Sequence, residues 1–213
     1  MASAPNNLTL DSMAKIARRH FLRSIEVKEA TAEKCADDIA RAARILIECL
    51  ETDGKILLCG NGGSAADCQH IAAEFTSVLT QDFVRPGLPA IALTTDTSFI
   101  TANANDFGFE GIFERQVQAL GRRGDCVIGI STSGNSKNVF CALQYARENN
   151  IKTIALTGAS GGQMVNVADA IVKIPSDDTQ FIQESHIAVG HILCALVELA
   201  LFNLKFSQKS ETD

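Results

Sequence analysis

KILLCGNGGSAADCQHIAAEFTS, residues 55–77, is the stretch on which the fold turns. Lys55 to Cys59 is a short apolar run bounded by polar and glycine residues, the signature of a buried strand. Gly60-Asn61-Gly62-Gly63-Ser64 follows, a loop whose glycines permit positive φ and close backbone approach to a ligand. Ser64 has the chemistry of an N-cap for a helix from Ala65 to about Thr76. A strand, a glycine loop and a helix start in that order aim free N–H groups and the positive end of the helix dipole at an anion. His70 and Glu74, four residues apart, share one face of that helix. The loop is neither a complete G-x-G-x-x-G fingerprint, since Ala65 holds the last position, nor a Walker A loop, since no Gly-Lys-Ser/Thr closes it. A plain connecting turn and a solvated His–Glu pair remain the bland alternatives.

Working outward, the 213 residues suffice for one substantial core with appendages, and 46% hydrophobic with 21% charged residues is ordinary globular composition. A net charge of −6 argues against a general nucleic-acid or anionic-membrane binder. The first residues, MASAPNNLTLDS, lack a basic region followed by an apolar core, so no signal peptide is expected. Seven cysteines are scattered without a C-x-x-C, the usage of a reducing cytoplasm, and their spacing argues against a cysteine-based zinc site.

Downstream, Pro89–Leu93 reads as a second strand, followed by a polar turn over 94–98, a helix from Phe99 to about Asn103, a break at Asn105–Gly108 and a helix over Ile112–Leu120. Cys126–Ile130 is a third strand. Behind it, Ser131-Thr132-Ser133-Gly134-Asn135-Ser136 places four hydroxyls before a helix spanning Lys137–Glu148. Four exceed what capping requires, and with the backbone amides they suit phosphate oxygens. Strands at Ile151–Thr157 and Ala170–Pro175 complete a doubly wound, mainly parallel five-stranded α/β sheet. Ligands bind such sheets at the carboxyl ends of the strands, where both loops lie. Upstream, apolar residues at helical spacing predict two helices, Leu10 to about Ile25 and Lys28 to Thr52, as a helical pair (10–54) packed on the sheet or on a neighbouring subunit. Residues 1–9 and 207–213 read as tails around a domain over 55–206. The last helix, Thr179 to about Leu204, is long and apolar, but Glu184, His186, His191 and Glu198 argue for a core or interface helix over a membrane span.

The motifs GNGGSAADCQHIAAE, ANDFGF, GISTSGNS, ALTG and IQESHIAVGHIL, in this order from about Leu10 to Leu201, resemble the phosphoheptose isomerases of the sugar-isomerase (SIS) domain family. The resemblance implies a homotetramer with active sites shared between subunits, in the cytoplasm. It implies conversion of sedoheptulose 7-phosphate to D-glycero-D-manno-heptose 7-phosphate, towards nucleotide-activated heptoses for lipopolysaccharide and other surface polysaccharide. It implies one zinc ion per subunit on His70, Glu74, Gln183 and His191. Substrate contacts would be Asn61, Gly62, Gly63, Ser64, Glu74, Asn105, Asp106, Ser131, Thr132, Ser133, Ser136 and Gln183. Ketose–aldose interconversion moves one proton between carbons and another between oxygens, which calls for two acid/base groups. Glu74 is assigned the carbon proton and His191 the oxygen proton. Gln183 and His191 are eight residues apart, about 12 Å along a helix. One of them is therefore expected to serve a neighbouring subunit's site, or the helix to be irregular near Gln183.

Two positions depart from the family pattern: Val78 and Phe181 stand where arginines are often found, which bears on rim contacts and the preferred sugar. Three rivals stay open. A non-catalytic protein of the same fold that binds a replication initiator would lack the Glu74/His191 pair. An isomerase of a pentose 5-phosphate would differ in substrate. A phosphosugar-sensing regulator would need a DNA-binding segment, and none fits in residues 1–54.

Overall fold

The computed structural model describes residues 8–202; residues 1–7 of the expected tail over 1–9, and the stretch 203–213 with the expected helix end at Leu204, lie outside them. Elements run α1 (Leu10–Glu51), β1 (Ile56–Gly60), α2 (Gly63–Thr76), β2 (Ala90–Ala92), α3 (Thr97–Phe107), α4 (Ile112–Leu120), β3 (Cys126–Ser131), α5 (Lys137–Glu148), β4 (Lys152–Thr157), β5 (Ala170–Lys173) and α6 (Thr179–Leu201). Short 3₁₀ turns at Phe109–Gly111 and Gly162–Asn166 join α3 to α4 and β4 to β5.

The five strands pair in parallel in the order β2-β1-β3-β4-β5. Alternate side chains of the central strands enter two separate cores, as the period-2 pleat requires. Ile56, Leu58, Ile128, Ile130, Ile154 and Leu156 pack beneath α1, α2 and α6. Leu57, Cys59, Val127 and Ala155 pack against α4 and α5 on the opposite face. Both faces being covered, the strands read as unbroken apolar runs. The chain builds outward from β1 to β2, then crosses back to β3. That reversal opens a crevice beyond the carboxyl ends of β1 and β3, the usual ligand site of such a sheet.

Three local expectations are corrected. The two N-terminal helices are one 42-residue helix. Ile25-Glu26-Val27-Lys28 holds no glycine, proline or capping residue, so nothing stops the helix there. The half of α1 from Val27 to Cys49 belongs to the main core, whereas Met13, Ile16, Phe21, Leu22 and Ile25 near its start are exposed. Secondly, α2 begins at Gly63, and its N-cap is Gly62 at φ 55°, so Ser64 lies inside the first turn. Thirdly, α3 continues through Asn105, Asp106 and Phe107 and stops only at Gly108, whose φ of 91° leaves the helical region.

The long apolar helix α6 packs on α1 and α2, with Phe181, Ile182, Val189, Leu193, Cys194 and Val197 buried in the core. All seven cysteines are free thiols, and six of them are buried. Burial alone pushes Cys59 up to about 12, so it serves as a small apolar residue.

Candidate active site

The site grows from the two loops at the crevice. After β1, the positive φ of Gly62 turns the chain straight into α2 without a side-chain cap. The first amides of that helix are therefore left for a ligand, which the helix dipole favours as an anion. After β3, Ser131 and Ser136 place their hydroxyl oxygens 2.9 Å apart, and the Asn135 amide donates to the Ser133 hydroxyl at 3.2 Å. Ser136 stands at the N-cap of α5 yet makes no side-chain capping bond. The hydroxyls thus gather around the loop instead of closing the helix. Gly134 has φ 66° and packs against Gly161, where a Cβ would lie 2.1 Å from the carbonyl oxygen, so only glycine fits this turn.

One residue that ties the loops together escaped the sequence reading. The side chains of Asn61 and Asn138 exchange two hydrogen bonds, each 2.9 Å, and Asn138 is buried in the first turn of α5. This amide pair spans the crevice between the end of β1 and the helix after β3. The available signal was an asparagine placed just inside a helix start, where it can bond backbone or a neighbouring loop.

The titratable groups come from α2 and α6, which run side by side in the same direction. Gly190 of α6 meets Ile71 of α2 so closely that a Cβ there would lie 2.6 Å from Ile71 Cδ1. That contact brings the neighbouring residues together: His70 Nε2 lies 2.9 Å from His191 Nε2 and 3.4 Å from Glu74 Oε1. Donor atoms of His70, Glu74 and His191 all lie within 4.8 Å of one another. Glu74 Oε2 is buried and has no hydrogen-bond partner. Two imidazole nitrogens and a carboxylate oxygen gathered at one point are a zinc-type donor set, since a tetrahedral ion with bonds of about 2.0–2.2 Å spaces its ligands by roughly 3.3 Å. Cys194, one turn beyond His191, is buried and lies outside this cluster. Burial, then the Glu74 and Glu198 carboxylates, push its thiol up to about 12.

The structure places the remaining candidates less centrally. Gln183 lies at the other end of the α2–α6 seam, its carboxamide against the backbone of Gly63, and α6 continues unbroken through it. The irregular-helix expectation is therefore corrected. Asn105 and Asp106 sit exposed at the end of α3, bonded to each other at 2.8 Å. Their neighbours Phe107 and Phe109 are 81% and 56% exposed. Phe181, one of the two departures, is buried in the α1–α6 seam with its ring 4.8 Å from that of His20. Ser24 and then His20 of α1 bond the carboxylate of Glu184, which holds that carboxyl below its usual range.

Comparison with known proteins gives one answer from several directions. Residues 20–158 match the family model for the SIS domain. The chain is 53% identical to a phosphoheptose isomerase of Aneurinibacillus thermoaerophilus, over 89% of its own length and 96% of that protein. It is 50% identical to phosphoheptose isomerase 2 of Campylobacter jejuni, covering 94% of its own length and all of that protein's. Among solved structures, the phosphoheptose isomerase of Neisseria gonorrhoeae superposes with a TM-score of 0.82 at 44% identity, covering 87% of this chain and 98% of that one. The parallel sheet, the two loops at its switch point and these relatives agree: the chain belongs to the SIS domain family and, within it, to the phosphoheptose isomerases.

Proposed function

We propose that the protein converts sedoheptulose 7-phosphate to D-glycero-D-manno-heptose 7-phosphate through an enediol. The setting is cytoplasmic, at an early step towards nucleotide-activated heptoses for lipopolysaccharide and other surface polysaccharide. The observation that carries the reading is the buried, unpartnered Oε2 of Glu74, clustered with His70 and His191 on the two helices that pack behind the crevice. In this reading the hydroxyls of Ser131, Thr132, Ser133 and Ser136 hold the phosphate. Asn61, Gly62, Gly63, Ser64 and Gln183 hold the sugar oxygens.

Glu74 takes the proton from the carbon beside the carbonyl and returns it to the neighbouring carbon, while His191 moves the second proton between the two oxygens. The two oxygens of Glu74 divide the labour: Oε1 faces His70, and Oε2 is free to act as the base. His70, Glu74 and His191, with a Gln183 supplied by a neighbouring subunit, would hold a zinc ion, which would supply Lewis-acid polarisation of the substrate carbonyl. The assembly is a homotetramer with shared sites. Two features support this: the exposed apolar start of α1, and the exposure of Asn105 and Asp106 with the neighbouring Phe107 and Phe109.

The deciding experiment follows sedoheptulose 7-phosphate by NMR in D₂O with the zinc-loaded protein and with Glu74→Gln. Conversion by the wild type alone, with deuterium entering at C2, is expected. A folded, zinc-loaded wild type that leaves heptose untouched and isomerises a pentose 5-phosphate would reassign the substrate. Inactivity on both would return the chain to the binding-protein reading.

A further inference from the structure

Arg85 lies in the connection between α2 and β2, and its side chain has no exposed surface. Its Nε donates to Glu198 Oε1 at 2.7 Å. Nη2 donates to the carbonyl of Glu74 at 2.8 Å, and Nη1 to those of Phe75, Ser77 and Pro86 at 2.8, 3.0 and 3.1 Å. Glu198 also accepts from the Leu79 amide at 3.3 Å. The carbonyls of Glu74 and Phe75 belong to the last turn of α2, where a helix has no internal donors left and where a cation is favoured by the dipole. Glu198 stands seven residues after His191, two turns further along the same face of α6.

A continuous path of strong bonds therefore runs from the backbone of Glu74 through one guanidinium to the helix that carries His191. We propose that Arg85 and Glu198 are a positioning pair, fixing α2 against α6 so that Glu74 and His191 meet at the spacing the metal centre and the proton transfers need. The proposal rests on the isomerase reading of that centre. The pair touches no reacting atom and acts only through the two helices.

Geometry favours this over a purely structural role. A buried ion pair is commonly no more stabilising than an apolar pair of equal volume. What an apolar pair lacks is direction. The planar fork engages two carbonyls of α2, two of the connection after it and one carboxylate of α6 at once, and a lysine, with one point of charge, does not reproduce that set. Gly190 sets how closely the helices approach, and Arg85 with Glu198 fixes how far one slides along the other.

The test compares wild type, Arg85→Lys, Glu198→Gln and the apolar double variant Arg85→Met/Glu198→Leu. Melting temperature, cobalt(II) and zinc(II) affinity by competition with a chelator, the visible absorption of the cobalt(II) form, and kcat and KM are measured for each. The expected result is a roughly 10–100-fold loss of metal affinity, the range seen when groups supporting metal ligands are removed. An altered cobalt(II) band and a fall in kcat with KM within about twofold should accompany it. The double variant should melt near the wild type without recovering metal affinity or kcat. A folded double variant with wild-type affinity, spectrum and kcat would overturn the proposal. If the double variant does not fold, wild-type values in both Arg85→Lys and Glu198→Gln would overturn it equally. A wild type that neither binds metal nor turns over sinks the isomerase reading itself, and the pair's role with it.

Discussion

Asn138 ties the loop after β1 to the helix after β3 through one side chain. It is buried, exchanges two bonds with Asn61 of the glycine loop, and its Oδ1 also accepts from the Val139 amide at 3.0 Å. Aspartate in its place keeps the shape and one acceptor but loses the donor and adds a negative charge near the hydroxyl loop. Asn138→Asp should therefore lower kcat/KM for the phosphosugar about tenfold or more, chiefly through KM, with a stability loss of about 1–3 kcal/mol from the unmade buried bond. Steady-state kinetics beside thermal melts checks both halves. His186 carries a different signal. It is fully buried with Nε2 3.1 Å from the Thr157 carbonyl oxygen, and burial lowers its pKa to about 4. The unfolded chain, with a histidine near 6.5, binds the proton first as pH falls. Stability should thus be lost progressively from about pH 6.5 down to about pH 4, by up to about 3 kcal/mol from this group. Denaturant unfolding across that range should show the slope, and His186→Gln should flatten it.

At the scale of elements, the α2–α6 seam is the most exposed to perturbation. Gly190→Ala puts a methyl 2.6 Å from Cδ1 and 2.7 Å from Cγ1 of the buried Ile71. The helices must separate by a few tenths of an ångström or more, at a cost of about 1–3 kcal/mol. Metal affinity measured by chelator competition should fall with the melting temperature, because His70 and His191 flank this contact. How far the sequence disclosed its elements follows from the same physics. The helices Ile112–Leu120 and Lys137–Glu148 were legible to the residue, since glycine or a serine-rich loop bounds each of them. The break placed near Ile25 was not real, because a change in what α1 packs against looks, in sequence, like a change of helix. Ser64 looked like a cap because serine usually is one, and only the positive φ of Gly62 displaces it. His70, Glu74 and His191 could be named from motifs that stay local to two helices. Arg85 could not. Nothing near it in sequence says that a thirteen-residue connection folds back to bury a guanidinium.

For the whole molecule, the telling surface is the exposed apolar face near the start of α1. Phe21 is 70% exposed, and Leu22 and Ile25 are each 50% exposed. Phe21→Glu/Ile25→Glu should cost an isolated chain little, as exposed substitutions usually stay within about 0.5 kcal/mol each. In the proposed homotetramer the same change places charges in an interface. Light scattering should then show a smaller assembly with unchanged circular dichroism, and activity should drop if neighbouring chains complete the site. An unchanged mass and rate would mean that α1 contributes nothing to assembly.

The parallel course of α2 and α6 also has a consequence for synthesis. His70 and Glu74 leave the ribosome more than a hundred residues before His191. A nascent or prematurely terminated chain that has made the whole sheet still lacks one of its three clustered donors. It also leaves the face under α6 bare, where Ile71, Phe75 and Leu46 belong to the shared core. On the proposed zinc reading, metal capture and the covering of that face come together, at α6. Incomplete products should be sticky, poor at holding the ion, and open to proteases, which makes the finished C-terminal helix the step that separates enzyme from debris.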